Sequence, residues 1–312
     1  MNPGSLLAMH PGALGDAVVA FPVLRRLRSR FRRIDLLCRG EIGNLAVHLG
    51  VADRSFPLER ARFAALYRER ISDPDLAAFL NDDLQILLFS RSDLPERAIA
   101  SVTDVPPIRI SPRPPSDMRI HVADFLRAQL REKGFAVEGQ GTASSPETPG
   151  DGPVLLHPGS GSPRKNWPLE RFGIVFERLV GAGMDVKFLA GPAEHEMRSR
   201  LARIGETVVP DGLTALADLL RQARGFVGND SGVGHLAAFL GVSTLTIFGP
   251  SDPVRWRPTG FRTATVGGDG PDCFPCFEAR ERPACDFREC LTRISPEQVL
   301  SAFGKLTGNP VV

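Results

Sequence analysis

The sequence predicts an α/β protein made of two doubly wound parallel-sheet domains. Strand-length apolar runs alternate with amphipathic segments along the chain, and a polar stretch rich in Gly, Ser, Thr and Pro separates two halves. The 312 residues suit two domains of about 150 residues each. A hydrophobic fraction of 42% is sufficient to fill two cores.

Near-continuous apolar runs predict the strands. Strands that read this way are buried on both faces, which is typical of parallel sheets covered by helices on each side. The predicted strands lie at 5–10, 34–38, 84–90, 153–158, 184–191, 225–228 and 243–249.

Apolar residues at helical spacing predict helices between these strands. The clearest are "DAVVAFPVLRRLRSRF" at 16–31, "LERFGIVFERLVGAG" at 169–183 and "LTALADLLRQAR" at 213–224. A fourth helix is predicted in "HLAAFLGV", where Gly241 supplies the stop.

The stretch "GQGTASSPETPGDGP" at 139–153 has no apolar periodicity and reads as a linker. We therefore expect an N-terminal domain at 1–138, a linker at 139–152 and a C-terminal domain at 153–294. The segment 295–312 is expected to be a helix that packs back on the N-terminal domain. Ligands of open α/β sheets bind at the carboxyl ends of the strands, and a two-domain version gains a cleft.

Composition excludes several classes of protein. A net charge of +2 does not indicate nucleic-acid binding, and no apolar run approaches the roughly 20 residues that span a bilayer. The N-terminus lacks the basic and apolar regions of a signal peptide. The five cysteines are an odd number, and four of them crowd near the C-terminus, unlike a secreted disulfide framework. We expect a cytoplasmic protein.

Three loops between a strand and a helix are rich in glycine and polar residues: "MHPGALGD" at 9–16, "LLHPGSGSPRKNWP" at 155–168 and "VGNDSGVGH" at 227–235. Glycine lets backbone N–H groups approach a ligand, and a helix N-terminus favours anions. None is a Walker loop or a G-x-G-x-x-G turn. The loops predict a phosphate-bearing ligand; the alternative is that glycine-rich turns are simply common in α/β folds.

Several motifs together resemble glycosyltransferase family nine, the ADP-heptose lipopolysaccharide heptosyltransferases and their relatives. They are "HPGALGDAVVAFPVLRRLRSRF", "HVADFLRAQLREKG", "HPGSGSPRKNWP", "AGPAEHE", "NDSGVGHLAAFLGVSTLTIFGPSDP" and the tail "CFPCFEARERPACDFREC". The resemblance covers nearly the whole chain. It implies a GT-B fold, in which two Rossmann-like domains face each other across a cleft, with the nucleotide-sugar donor in the C-terminal domain and the acceptor at the N-terminal one.

The activity that the resemblance implies is inverting, metal-independent transfer of a sugar. The sugar is most simply heptose from ADP-heptose, and the acceptor is a lipopolysaccharide-core-type or related glycan or glycolipid. Two alternatives stay open: a GT-B-type sugar-nucleotide epimerase, and a non-catalytic nucleotide-sugar-binding module.

Asp16 is the expected general base. Inverting transfer needs a base on the acceptor hydroxyl, and Asp16 follows the first strand at the start of a helix. The resemblance points to the same residue. The alternative is a helix N-cap, which competes for the same carboxylate oxygens.

Lys165 is expected to stabilise the diphosphate leaving group, where charge builds as the bond breaks. Ser160 and Gly161 are expected to donate hydrogen bonds to the phosphates, and Ser231 and Gly232 to do so through their amides. The other expected donor-site residues are Glu194, which would bind the ribose hydroxyls, Asp230, which would bind sugar hydroxyls, and His235, which would face the same ligand as Ser231. The roles of Glu194 and Asp230 rest on the resemblance. Ordinary structural roles are the alternatives: a first-turn acid for Glu194 and a turn-capping histidine for His235.

Two further features have open interpretations. The run "RRLRSRFRR" at 25–33 is either a solvated helix face or a peripheral contact with an anionic inner membrane. Cys273, Cys276, Cys285 and Cys290 are spaced C-x2-C-x8-C-x4-C. Four thiols could bind structural zinc or iron, and reduced thiols without metal are the default.

Overall fold

The computed structural model describes residues 4–82, 84–137, 150–277, 285 and 288–308. The chain forms two compact units. The first comprises Met1–Pro115 and Val122–Gly141, and the second comprises Ser116–His121 and Thr142–Val312. Most of the predicted linker, 139–149, lies outside the described residues.

The first unit holds a five-stranded sheet in the order β3-β2-β1-β4-β5, and every pair is parallel. Its elements are β1 (Ser5–His10), α1 (Leu14–Leu27), β2 (Arg33–Cys38), α2 (Gly40–His48), β3 (Arg54–Pro57), a 3-10 segment (Ala61–Tyr67), α3 (Pro74–Leu80), β4 (Leu84–Phe89), α4 (Leu94–Ala100), β5 (Ile108–Ile110) and α5 (Val122–Glu132).

The second unit holds a six-stranded parallel sheet in the order β11-β10-β9-β6-β7-β8. Its strands are β6 (Val154–His157), β7 (Val186–Leu189), β8 (Thr207–Val208), β9 (Gly225–Asn229), β10 (Thr244–Phe248) and β11 (Thr263–Gly267). Its helices are α6 (Leu169–Gly181), α7 (Arg198–Ile204), α8 (Gly212–Gln222), α9 (Gly232–Phe239), α10 (Pro253–Trp256), α11 (Glu289–Thr292) and α12 (Pro296–Thr307), with 3-10 segments at Pro163–Lys165 and Pro192–Met197.

The prediction of two doubly wound parallel-sheet domains is confirmed. In each unit the chain begins at a central strand, builds outward to one edge, and then returns to build the other. The strand order therefore reverses between β1 and β4 in the first unit and between β6 and β9 in the second. Such reversal points are where open α/β sheets bind ligands.

The central strands are buried along their whole length, as β1 and β9 show. Successive side chains of a strand point to opposite faces, so burial of both faces requires a layer on each side. In the first unit Leu7, Met9, Ile86 and Leu88 pack into one core together with the 3-10 segment, α3 and α4. Helices α1 and α5 pack against each other.

Helix α12 belongs to the core of the second unit, where Val299, Leu300 and Phe303 join Trp167 and Phe172. The helix packs against α6, β10 and β11. That it also packs back on the N-terminal domain stays a prediction. Gly225 leaves room for the helix on the sheet, since a Cβ added there would lie 2.6 Å from the Phe303 ring.

The segment Ser116–His121 groups with the second unit although the first unit surrounds it in sequence. Arg119 Nε lies 2.6 Å from Asp252 Oδ2, and Arg255 donates to the Ser116 carbonyl at 3.0 Å. A ring nitrogen of His121 bonds the Arg257 carbonyl at 2.8 Å. These contacts fasten the segment to α10 and its flanks.

No helix in the described part of the chain has both the length and the apolarity needed to cross a bilayer.

Candidate active site

The first unit has a pocket of about 240 Å³ at its strand-order reversal. The ends of β1 and β4 with the residues that follow them, the first turn of α1 and the segment after β5 form its wall. Its lining residues are His10, Pro11, Gly12, Asp16, Phe89, Ser90, Arg91, Pro112 and Arg113.

Asp16 lies in the first turn of α1, but it does not cap the helix. Ala13 is the N-cap residue, and no side chain bonds to the first-turn amides there. Both carboxylate oxygens of Asp16 instead accept from Arg113, at 3.0 Å from Nε and 2.6 Å from Nη2. This bidentate geometry fixes the plane of the carboxylate and is the strongest form of the guanidinium–carboxylate pair.

His10 ends β1 and lies beside Asp16. Its Nδ1 accepts from the Gly12 amide at 3.3 Å, so in the neutral ring the hydrogen is on Nε2. Burial lowers the pKa of His10 to about 4, against the opposing effect of the Asp16 charge. His10 is therefore neutral near pH 7 and is a pocket-lining hydrogen-bond donor.

Gly12 is required by this close packing. A Cβ there would lie 2.7 Å from His10 Cε1 and 2.9 Å from Asp16 Cβ. The turn in "MHPGALGD" therefore brings an imidazole and a carboxylate together. The sequence assigned no role to His10 or Arg113; His10 was visible in the motif, whereas Arg113 lies 97 positions from Asp16.

In the second unit the loops after β6 and β9 meet at the other strand-order reversal. Asn229, fully buried, holds them together. Its amide donates to the Pro158 carbonyl at 2.7 Å, and its Oδ1 accepts from the Trp167 amide at 3.0 Å. Trp167 itself is buried in the core, and its indole donates to the Ile294 carbonyl. Asn229 had no predicted role, and it shapes the loop that carries Lys165.

Lys165 and Asp230, both predicted donor-site residues, form an ion pair of 2.6 Å between Nζ and Oδ2. The Ser251 hydroxyl donates to the same oxygen at 2.6 Å. Asp230 is buried, and its amide bonds the Ile247 carbonyl at 3.1 Å, which holds it at the end of the sheet. The pair compensates a buried carboxylate, which would be costly alone.

Ser231 is the N-cap of α9, and its hydroxyl accepts from the Gly234 amide at 3.4 Å. Gly232 begins the helix and His235 is buried in its first turn. The N–H groups of a first helical turn have no intrahelical partners and attract anions. The predicted stop is confirmed: α9 ends at Phe239, and Gly241 follows with φ of 86°.

The glycine-rich loop after β6 is ordered by Ser160. Its hydroxyl lies 2.6 Å from Asn166 Oδ1 and 2.7 Å from the Ser162 carbonyl, and it accepts from the Ser162 amide. Gly161 has open space where a side chain would be. The Ser160 hydroxyl thus has internal partners, and the backbone at Gly161 is the accessible part of the loop.

Glu194 is buried beneath this loop and closes a capping box. Its Oε2 accepts from the Gly191 amide at 2.7 Å, and its Oε1 lies 3.6 Å from His157 Nε2. Burial raises the pKa of Glu194. The contacts with His157 and the Gly191 amide lower that pKa by a larger amount together, so the net shift is downward. A Cβ on Gly159 would lie 1.8 Å from Oε1. Glu194 therefore has the geometry of an acid that caps a first helical turn, which is the structural alternative to a role in ribose binding.

The arginine run at 25–33 is largely engaged within the first unit. Arg25 and Arg28 donate to the carbonyls of Leu49 and Gly50, just after α2. Arg30 donates to the Gly134 carbonyl after α5 at 2.7 Å. Guanidinium groups at helix C-termini satisfy carbonyls that have no partner in the helix.

The cysteines are free thiols in this structure. Cys276 is buried and Cys273 is exposed. Burial first, and neighbouring thiols second, raise the pKa of Cys276, and they raise that of Cys290 to about 11. In the part of the chain that the structure describes, no group of three or more His, Cys, Asp or Glu side chains could hold a metal ion.

Comparison with known proteins shows similarity in sequence over about half of the chain. The sequence profile described as glycosyltransferase family 9 (heptosyltransferase) matches residues 124–285, slightly more than half of the chain. The lipopolysaccharide heptosyltransferase 1 of Pseudomonas aeruginosa is 35% identical over 162 residues. That alignment covers 47% of this chain and 45% of the relative, so the similarity spans less than half of the curated protein.

Solved structures extend the similarity of fold to nearly the whole chain. A family 9 glycosyltransferase from Veillonella parvula has a TM-score of 0.75 at 18% identity, and the match covers 98% of each chain. An E. coli heptosyltransferase with ADP-2-deoxy-2-fluoro heptose has a TM-score of 0.62 at 18% identity, covering 84% of this chain and 93% of that one.

Proposed function

The chain belongs to glycosyltransferase family 9, and from this premise we propose that it transfers heptose from ADP-heptose to a lipopolysaccharide-core-type glycan with inversion. The observation that carries the proposal is the Asp16 carboxylate in the pocket of the first unit. The curated relative is a lipopolysaccharide heptosyltransferase, which supports the choice of sugar and acceptor.

Asp16 takes the proton of the acceptor hydroxyl as that oxygen attacks the anomeric carbon. A carboxylate oxygen has two lone-pair directions, and the hydrogen bonds from Arg113 occupy one on each oxygen. The base therefore keeps an accepting direction on each oxygen while its plane is held. Positioning of this kind lowers the barrier because the reacting groups meet already oriented.

Lys165 stabilises the leaving diphosphate. Its ammonium and the first turn of α9 lie at the same strand-order reversal, and both attract phosphate oxygens. A donor that reaches Lys165 competes with Asp230 for the ammonium. Asp230, relieved of part of this pairing, accepts from a sugar hydroxyl. Because charge on the diphosphate is largest as the bond breaks, Lys165 acts most strongly on the transition state.

The remaining predicted donor residues divide by geometry. Gly161 has open space where a side chain would stand, Gly232 begins α9, and His235 lies in the first turn of that helix. Ser160, Ser231 and Glu194 have internal partners. We propose that Ser160 and Ser231 act by ordering loops whose amides face the phosphates, and that ribose binding by Glu194 requires its capping box to open.

The reaction is proposed to need no metal, since Lys165 and a helix N-terminus take the place of a divalent ion at the diphosphate. The thiols at 273, 276, 285 and 290 lie away from Asp16 in sequence and in a different unit. A structural zinc or iron ion held by them would stabilise the second unit and would take no part in the transfer step.

A peripheral contact with anionic lipid stays a prediction for the 25–33 run. The engaged arginines argue against a large free basic face there. Co-sedimentation with vesicles of anionic and of neutral lipid measures it directly, and equal binding to both would dismiss the contact.

The deciding experiment is a product assay with ADP-heptose and a lipopolysaccharide-core acceptor, run with Asp16→Ala beside the unchanged protein. We expect transfer only by the latter. The same assay without acceptor tests the alternative activity, because an epimerase would convert the nucleotide sugar when no acceptor is present.

A thermal-shift screen of ADP, GDP, UDP and dTDP sugars identifies the donor, because a ligand at 100 times its Kd stabilises the protein by about 2.7 kcal/mol. No transfer and no stabilisation by any donor would reject the proposal.

A further inference from the structure

The segment 271–277, which begins the cysteine-rich region, covers the turn that carries Lys165. The Phe277 amide donates to the Pro250 carbonyl at 3.0 Å. Pro250 precedes Ser251, whose hydroxyl bonds Asp230. Arg164 and Cys276 are in contact, with Nη2 4.0 Å from Sγ. The segment is thus fastened to the turn after β6 and to the loop after β10.

The consequence for Lys165 is an aromatic ring beside its ammonium. Nζ lies 4.3 Å from the centroid of the Phe277 ring and 2.6 Å from Asp230 Oδ2. A cation within about 6 Å of a ring centroid is attracted by the negative face of the ring. Lys165 is therefore held by two different interactions, one ionic and one with the ring.

These two interactions respond differently to a bound diphosphate. Phosphate oxygens compete with the Asp230 carboxylate, because both accept hydrogen bonds from the same ammonium. The ring accepts no conventional hydrogen bond, so it leaves the N–H groups of Lys165 for the phosphates. A lysine is a point charge on a flexible stem, and it loses up to about 2 kcal/mol of rotamer freedom when it is fixed. A ring that fixes the stem beforehand reduces that cost at the moment of binding.

We infer that Phe277 is a positioning residue for the donor diphosphate, acting through Lys165. This inference rests on the proposed function, since it requires a nucleoside diphosphate at Lys165. It brings the cysteine-rich segment, to which no role in transfer was assigned, into the wall of the donor site.

Calorimetry with ADP and AMP tests the inference. Phe277→Leu keeps an apolar side chain of similar size but removes the aromatic face. We expect it to weaken ADP binding about threefold to tenfold and to change AMP binding less than twofold. Phe277→Trp and Phe277→Tyr keep an aromatic face and should stay within about twofold of the unchanged protein for ADP.

A double-mutant cycle shows whether the effect passes through Lys165. In a Lys165→Ala background, Phe277→Leu should cause no further loss of ADP affinity. Phe261→Leu is the control, since Phe261 lies in the same unit and is 61% exposed. That variant should bind ADP normally. The melting temperature of each variant reports damage to the fold.

The outcomes separate the inference from the proposed function. Equal weakening of ADP and AMP, or a full effect of Phe277→Leu without Lys165, would show that the ring only packs. Normal ADP binding by Phe277→Leu would also overturn the role of Phe277 and leave the proposed function standing. If the unchanged protein binds no nucleoside diphosphate, the proposed function fails, and the inference fails with it.

Discussion

Arg113 holds both carboxylate oxygens of Asp16 across 97 positions of sequence, at 3.0 and 2.6 Å. Asp16 is largely buried, with 14% of its side chain exposed, whereas half of the Arg113 side chain is exposed. The two hydrogen bonds from one planar guanidinium hold the carboxylate plane of Asp16 in a single orientation. This relationship gives the first prediction.

Arg113→Lys should lower kcat on the order of tenfold to a hundredfold and leave donor affinity unchanged. A lysine supplies one point contact and cannot hold the carboxylate plane, and misoriented reacting groups cost rate. Turnover and ADP affinity are measured in parallel. The matched control is Arg109→Lys, since Arg109 pairs with Glu96 at 2.6 Å in the same unit and away from the pocket. Equal activity of the two variants would remove Arg113 from the mechanism.

Lys165→Ala should reduce kcat/KM on the order of a hundredfold, because it removes charge stabilisation of the leaving group. ADP affinity should fall more than AMP affinity. Lys187→Ala is the control: its Nζ forms an ion pair of the same length, 2.6 Å, with Glu206 elsewhere in the second unit. If AMP and ADP lose affinity equally little, the diphosphate does not lie at Lys165.

Two substitutions in the loop "NDSGVGH" should weaken ligand binding in different ways. Asp230→Asn removes a charge-assisted acceptor and should weaken the nucleotide sugar more than ADP alone. Gly232→Val crowds the first-turn amides of α9 and should weaken both ligands. Calorimetry on folded protein distinguishes them. Equal effects of Asp230→Asn on both ligands would mean that Asp230 orders the loop without contacting sugar, and normal binding by Gly232→Val would place the phosphates elsewhere.

His10 should make the folded state sensitive to acid. Its pKa is about 4 in the folded protein, below the ordinary value of 6.5, so between these values the unfolded chain binds the extra proton. The contribution of His10 to the free energy of unfolding is fully present above about pH 6.5, and it is lost as the pH falls toward 4. From pH 7 to pH 5 the loss should be about 2 kcal/mol in the free energy of unfolding.

Urea unfolding of the protein and of His10→Gln at both pH values measures this difference. Glutamine does not titrate, so the variant should lack that part of the pH dependence, whatever its stability at pH 7. His48→Gln is the control, because His48 is exposed. The same slope in the protein and in His10→Gln would show that another group titrates.

Transfer should persist in excess EDTA, because Lys165 and the start of α9 are proposed to meet the diphosphate charge. Loss of activity restored by magnesium or manganese would contradict this mechanism. A drop in melting temperature that zinc or iron reverses would instead indicate metal at the cysteines, and Cys276→Ser should then abolish that response.

The sequence by itself determined the central strands and the loops that follow them. All seven predicted strands are present, and most of their described residues are buried, so their apolar runs are continuous and readable. The four strands that were missed, β3, β5, β8 and β11, are the outermost strands of the two sheets. Their side chains are mostly half-exposed. A strand that is covered on only one side does not require a continuous apolar run, and its short pattern does not stand out from a loop.

The tertiary structure alone decided which of these loops meet. Strand order places β6 beside β9 and so joins Lys165 to Asp230 across 65 positions. It also brings Arg113 to Asp16 and the Phe277 ring to Lys165. The local sequence carries the apolar pattern of a strand and the residues of a turn, and both can be read along the chain. Pairing of charges between distant loops depends on how the strands are ordered, and no local pattern records that order.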